Sequence, residues 1–97
     1  MRTLRPETIE AATVEQVRGP DAVIGAESAF GLGFMLGKSF GAANPRTCFG
    51  HAGAGGSLAF ADPPTGLAFG YVMNDLRFDG ADPRSEGLVR AARAAIR

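Results

Sequence analysis

Large apolar side chains recur at every second position in two parts of this chain. Over residues 29 to 36, Phe30, Leu32, Phe34 and Leu36 alternate with Gly31, Gly33 and Met35. A period of two predicts a strand. Its second face is almost bare, which predicts another element packed close against the glycines. The second part is a hairpin over residues 57 to 61 and 67 to 73, joined by Asp62, Pro63, Pro64, Thr65 and Gly66. Those five residues have turn chemistry throughout. Leu58 and Phe60 share one face, as do Leu67, Phe69, Tyr71 and Met73. The opposite faces carry Ser57, Ala59, Ala61, Ala68, Gly70 and Val72. Both faces are nearly uncharged, so the hairpin predicts cover on both sides.

Helical spacing marks the two ends. Residues 6 to 13 open with Pro6, which suits a first helical turn, and carry Glu7 and Glu10 near the N-terminus. Ile9 and Ala12 are expected to face a core. Gly19, Pro20 and Asp21 predict a turn. The last helix begins with Asp82 as N-cap and Pro83 as first residue. There Leu88, Ala92 and Ala95 form the inward stripe, with Val89 and Ile96 beside it and Arg90, Arg93 and Arg97 opposite. Residues 37 to 48, with Gly37, Gly41, Asn44 and Pro45 around Lys38 and Arg46, predict a loop. The sum is an α+β chain, antiparallel strands with a C-terminal helix. Three strands and one long helix leave a two-sided sheet partly open, which predicts association through strand edges and apolar faces.

Charge narrows the field by exclusion. The 97 residues carry ten basic and ten acidic side chains with no run of one sign. Nothing therefore draws the chain to nucleic acid or to a membrane surface. No apolar run approaches the roughly 18 residues that span a bilayer. Residues 1 to 10 are charged and do not form a signal peptide. A single cysteine, Cys48, forbids an internal disulfide and suits a reducing compartment, so the expected location is cytoplasmic.

Glycine is in excess, with fourteen residues, about twice the usual 7%. It is densest in Phe49-Gly50-His51-Ala52-Gly53-Ala54-Gly55-Gly56. This run lacks the Gly-Lys-Ser/Thr end of a phosphate-binding loop, and a strand follows it. Cys48 and His51 alone do not make a zinc site. Cys48 has no evident base partner, Lys38 is expected to be solvated, and Tyr71 lies on an apolar face.

The order of these elements resembles the C-terminal part of class C β-lactamases and of the related esterases, D-aminopeptidases and penicillin-binding proteins. The run from Phe49 to Asn74, followed by a helix, carries the resemblance, which extends from about Leu4 to the end. His51-Ala52-Gly53 is similar to the family's third active-site motif, Lys-Thr-Gly or His-x-Gly. The resemblance implies a strand at the edge of a cleft. It implies that Gly53 leaves room for an acyl group and that the Ala54 N–H donates to an oxyanion. His51 would sit near the leaving group or a substrate carboxylate, and Asn74 near the cleft. The family nucleophile is the serine of Ser-x-x-Lys. Ser28, Ser39, Ser57 and Ser85 are followed three residues later by Gly31, Ala42, Phe60 and Leu88, and Tyr71 does not begin a Tyr-x-Asn motif. Residues 1–97 are thus expected to be a C-terminal segment whose nucleophile-bearing part lies outside this chain. The implied reaction, on a small ester, amide or β-lactam, needs no cofactor and no metal. The implied partner is the missing N-terminal half, or a second copy.

Overall fold

The computed structural model describes residues 3–40, 46–78 and 83–96. Helix α1 (Pro6–Thr13) leads into strands β1 (Val17–Pro20), β2 (Glu27–Phe30) and β3 (Met35–Leu36). A 3₁₀ turn (Gly37–Phe40) precedes β4 (Phe49–Ala52), β5 (Leu58–Asp62) and β6 (Leu67–Tyr71), and helix α2 (Pro83–Ala95) follows. The strands form one antiparallel sheet in the order of the sequence.

The antiparallel sheet and C-terminal helix match the α+β expectation, but six strands form rather than three. The strand predicted over residues 29 to 36 is two short strands around a reversal. The Gly31 N–H donates to the Phe34 carbonyl at 2.9 Å, and Gly33 takes φ +82°. Apolar alternation runs unbroken through this turn, which hid it; Leu32 stands at the exposed tip. The element packed close on the bare face is α1. A Cβ on Gly31 would lie 2.3 Å from the Ala12 carbonyl oxygen, which also accepts from the Leu32 N–H at 2.9 Å.

The turn expected at residues 19 to 21 begins later. Gly19 and Pro20 end β1, which tolerates proline because it is the outermost strand. Asp21 Oδ1 then accepts from the Val23 and Ile24 N–H groups, at 2.8 and 3.0 Å. These bonds, Ile24's foremost, hold the Asp21 carboxyl below its ordinary range.

The predicted hairpin is present as β5 and β6, two residues shorter at its far end. Leu58 and Phe60 turn inward, and the Phe60 and Phe69 rings stack at 5.4 Å. With Met35, Cys48 and Val89 they make the core, flanked by Phe30, Ala52, Leu67 and Phe69. The α2 stripe is rotated by one residue from the expected one. Val89 is the buried contact at 1% exposure, Ala92 and Arg93 are half-buried, and Leu88 and Ala95 face solvent. Arg93 thus joins the inward side, where its charge acts on Cys48. The Asp82 cap lies outside the described residues, as do residues 41–45 of the loop and the side chain of Lys38.

Asp62, expected in the turn, ends β5 and is buried at 2% exposure. Its carboxylate accepts from Thr47 Oγ1 at 2.5 Å and from Thr65 Oγ1 at 2.8 Å. One buried acceptor therefore joins the approach to β4 with the β5–β6 turn.

Candidate functional site

β4 carries the candidate chemistry, and its two halves differ. Phe49 and Gly50 pair with β3 on one side and β5 on the other. His51 and Ala52 pair with β5 alone, because β3 is only two residues long. The strand is interior where it begins and an edge where the glycine-rich motif starts. The edge expected from the sequence therefore exists for this half only. Gly50 is fixed by its neighbours: a Cβ there would lie 2.0 Å from the Ala59 carbonyl oxygen and 2.6 Å from Phe60 Cα.

His51 is exposed. Its register partners are Ala59 and, across β5, Gly70, so the three share the sheet face opposite the core. The ring lies 5.8 Å from that of Phe30, tilted by 56°. Nδ1 is 2.5 Å from the Ala52 carbonyl oxygen. A proton on Nδ1 satisfies this contact, which does not engage Nε2.

Gly53 begins a tight turn rather than extending the strand. Its N–H donates to the Ser57 carbonyl at 2.8 Å, and the Gly56 N–H donates to the Gly53 carbonyl at 3.3 Å. Gly55 and Gly56 take φ +91° and +119°, which side chains rarely adopt. A Cβ on Gly53 would meet the Ser57 hydroxyl at 2.1 Å, the end of a side chain that can turn away, and nothing else closer than 3.5 Å. Among the described residues, no backbone carbonyl accepts from the Ala54 N–H.

Asn74 lies three residues beyond the end of β6 and is exposed. The segment it opens folds back on the β4–β5 turn. The Arg77 N–H donates to the Gly55 carbonyl at 3.1 Å, and Leu76 packs over Gly55. Asp75 holds the segment through Arg77 at 3.2 Å, and Arg84 donates to the Asp75 carbonyl at 2.8 Å. His51, Gly53, Ala54 and Asn74 thus gather at one end of the sheet. The part played by Leu76, Asp75, Arg77 and Arg84 gave no signal in the sequence beyond the Asp75/Arg77 spacing.

A hollow of about 250 Å³ opens beside His51, lined also by Ser57, Leu58, Ala59, Gly70, Tyr71 and Val72. A larger cavity, about 520 Å³, lies elsewhere, between the α1–β1 segment, β2 and the approach to β4. It holds none of the four candidate residues, and its Glu15 and Arg18 are paired at 2.8 Å. Cys48 is buried, and desolvation, then the charge of Asp62, pushes its thiol up to about 11. It is therefore a packed, protonated thiol rather than a nucleophile. Among the described residues no three His, Cys, Asp or Glu side chains group to hold a metal, and no helix is long and apolar enough to cross a membrane.

A family model described as Beta-lactamase matches residues 1–94. Among solved structures, a novel penicillin-binding protein homologue from Caulobacter crescentus is 45% identical, with a TM-score of 0.82, covering 94% of this chain and 25% of that one. EstA from Arthrobacter nitroguajacolicus Rue61a is 40% identical, with a TM-score of 0.83, covering 94% of this chain and 24% of its own. A family VIII carboxylesterase is 36% identical over 91% of this chain and 24% of its own, with a TM-score of 0.79. No curated protein matches. The chain spans about a quarter of the length of the solved structures it resembles. With residues 1–94 of its 97 matched by that family model, the chain belongs to the Beta-lactamase family.

Proposed function

We propose that this chain supplies one wall of the acyl-transfer site of a β-lactamase-like serine hydrolase, with the nucleophile carried by sequence outside it. The observation that carries the reading is the state of β4. It loses its β3 partner where His51-Ala52-Gly53 begins, so that edge is open to an extended acyl group. The Ala54 N–H, with no described backbone acceptor, serves as an oxyanion donor. Such a donor contributes about 2.7–4 kcal/mol in the transition state. Nε2 of His51 meets the leaving group or a substrate carboxylate, and Asn74 adds a polar group at the cleft end. Histidine rather than lysine at the head of the motif favours esters or peptides over β-lactams. The names of EstA and of the family VIII carboxylesterase agree with an ester substrate.

The test is a graft. This chain replaces the matching quarter of the Caulobacter homologue, and hydrolysis of p-nitrophenyl esters and a chromogenic cephalosporin is followed. The graft is expected to hydrolyse the ester, and His51→Ala within it to lower kcat/KM at least tenfold. The chain alone is expected to hydrolyse neither compound and to resist fluorophosphonate labelling. Labelling of any of its four serines would sink the reading. A second reading, a non-catalytic module that pairs through strand edges and apolar faces, is favoured by the exposure of Val72, Leu76 and Phe78. A folded graft inactive on every ester would select it.

A further inference from the structure

The turn after β4 opens with Gly53, Ala54, Gly55 and Gly56. Three glycines among these four residues give the backbone little stiffness of its own, and Gly55 and Gly56 both stand at positive φ. An N–H that must point to one place from such a turn has to be held from outside. Ala54 is exposed, and its N–H has no backbone acceptor among the described residues. The peptide units around it do have partners.

A trans peptide unit points its carbonyl and its N–H in opposite directions, so a grip on one end sets the other. The Arg77 N–H donates to the Gly55 carbonyl at 3.1 Å. That peptide unit ends in the Gly56 N–H, which donates to the Gly53 carbonyl at 3.3 Å. The unit that begins with the Gly53 carbonyl ends in the Ala54 N–H. The N–H groups of Arg77, Gly56 and Ala54 thus stand in series, and the last of them points out of the turn. Each hydrogen bond in such a series polarises the next. The bond from Arg77 therefore both aims the Ala54 N–H and makes it a stronger donor.

Side chains hold the Arg77 N–H where it is. Gly55 is buried, and a Cβ on it would lie 2.8 Å from Leu76 Cδ2, so Leu76 lies against the turn. Arg84, the second residue of α2, donates from Nη1 to the Asp75 carbonyl at 2.8 Å and stands 4.0 Å from the Asp75 carboxylate. Helix α2 is fixed in turn by Val89, 1% exposed in the core beside Met35 and Phe60. The core is tied through α2 and Arg84 to the segment that grips the turn.

We propose that Leu76 and Arg84 are positioning residues for the reaction. They keep the Arg77 N–H on the Gly55 carbonyl, and so aim and polarise the Ala54 N–H through two hydrogen-bonded peptide units. This rests on the reading of Ala54 as the oxyanion donor. Neither side chain touches the reacting atoms.

Two measurements test it. In the full chain, NMR follows the amide protons. Leu76→Ala and Arg84→Ala are each expected to move the Ala54 and Gly56 amide resonances to higher field while those of β1 and β2 stay in place. In the graft on the Caulobacter homologue, a p-nitrophenyl ester is compared with its thionoester, whose sulfur accepts hydrogen bonds weakly. Leu76→Ala is expected to lower kcat on the ester at least tenfold with KM unchanged, a part of the roughly 100–1,000-fold that a lost oxyanion donor costs. It is expected to leave the thionoester rate within twofold, and Leu76→Met to restore the ester rate. Arg90→Ala, on the exposed side of α2, is expected to change neither. A general loosening of the fold slows both substrates alike, and that result would overturn the proposal. So would Ala54 and Gly56 resonances that ignore both alanine variants. A graft active on the ester whose preference for ester over thionoester survives Leu76→Ala overturns the positioning role and leaves the acyl-transfer reading standing. A folded graft inactive with the unaltered chain overturns that reading, and the positioning role with it.

Discussion

At the scale of single residues, the glycines separate by what surrounds them. Gly50 lies beneath the β5 backbone, with Ala59 O and Phe60 Cα where its Cβ would go. Neither is the end of a flexible side chain, so Gly50→Ala must push the strands apart. We expect it to lower stability by about 3 kcal/mol, the upper part of the range for overpacking. Gly70→Ala meets open space and removes backbone freedom from the unfolded chain, so we expect a gain of about 0.5 kcal/mol. Urea unfolding of the two variants checks both, and equal effects would contradict the geometry. Cys48 offers a second test. Its folded thiol stands at about 11 against an ordinary 9.0. The folded chain therefore keeps a proton that the unfolded chain releases between those values. This contribution to stability is complete below pH 9 and is lost as pH rises toward 11. At pH 8 the thiol is expected to react with a disulfide reagent only after urea is added. The sequence showed Cys48 without a base, but its burial depends on Phe60 and Val89, which pack with it from distant parts of the chain.

At the scale of elements, legibility followed the length of the pattern. The β5–β6 hairpin was legible because two five-residue alternations flank a turn made of Asp, Pro, Thr and Gly. Helix α1 was legible from Pro6 and its first-turn glutamate. β1 was missed because Val17-Arg18-Gly19-Pro20 has no alternation and carries proline. β2 and β3 were fused because Leu32 keeps the apolar rhythm through a turn. The α2 stripe was off by one because small alanines give the rhythm little weight, so packing on β6 decided it. Of the candidate site, the run from His51 to Ala54 was legible through resemblance. The return of Leu76 and Arg77 onto Gly55 was not, since nothing local encodes a contact about twenty residues away. Asp62 was likewise invisible as a buried tie. Asp62→Ala leaves the hydroxyls of Thr47 and Thr65 without their shared acceptor. We expect it to cost about 1–3 kcal/mol and to speed amide exchange in β4 more than in β1. Uniform exchange would show that the tie does not hold β4.

At the scale of the whole molecule, the imbalance between the two faces matters most. A sheet with one covered face buries only part of the apolar surface that a closed layer arrangement would. Among the described residues, neither α1 nor the 3₁₀ turn covers that second face: α1 meets the β2–β3 reversal, and the turn after β3 contacts β2, β3 and β4. Apolar side chains left in water bind dyes such as anilinonaphthalene sulfonate, normally a mark of loosened packing. Here the two sources can be told apart. Loosened packing gives dye binding that rises as urea weakens the core and that any surface charge leaves unchanged. An open but ordered face gives binding already complete in buffer. That binding falls when Val72, 83% exposed beside the hollow, becomes Asp, and it persists when Arg90 becomes Ala. We expect the second pattern, with dye fluorescence of Val72→Asp at least halved and its urea midpoint unchanged. The core around Met35, Cys48, Leu58, Phe60 and Val89 lies on the other side of the sheet, so a charge at position 72 does not reach it. Dye binding that ignored Val72→Asp would place the exposed apolar surface elsewhere.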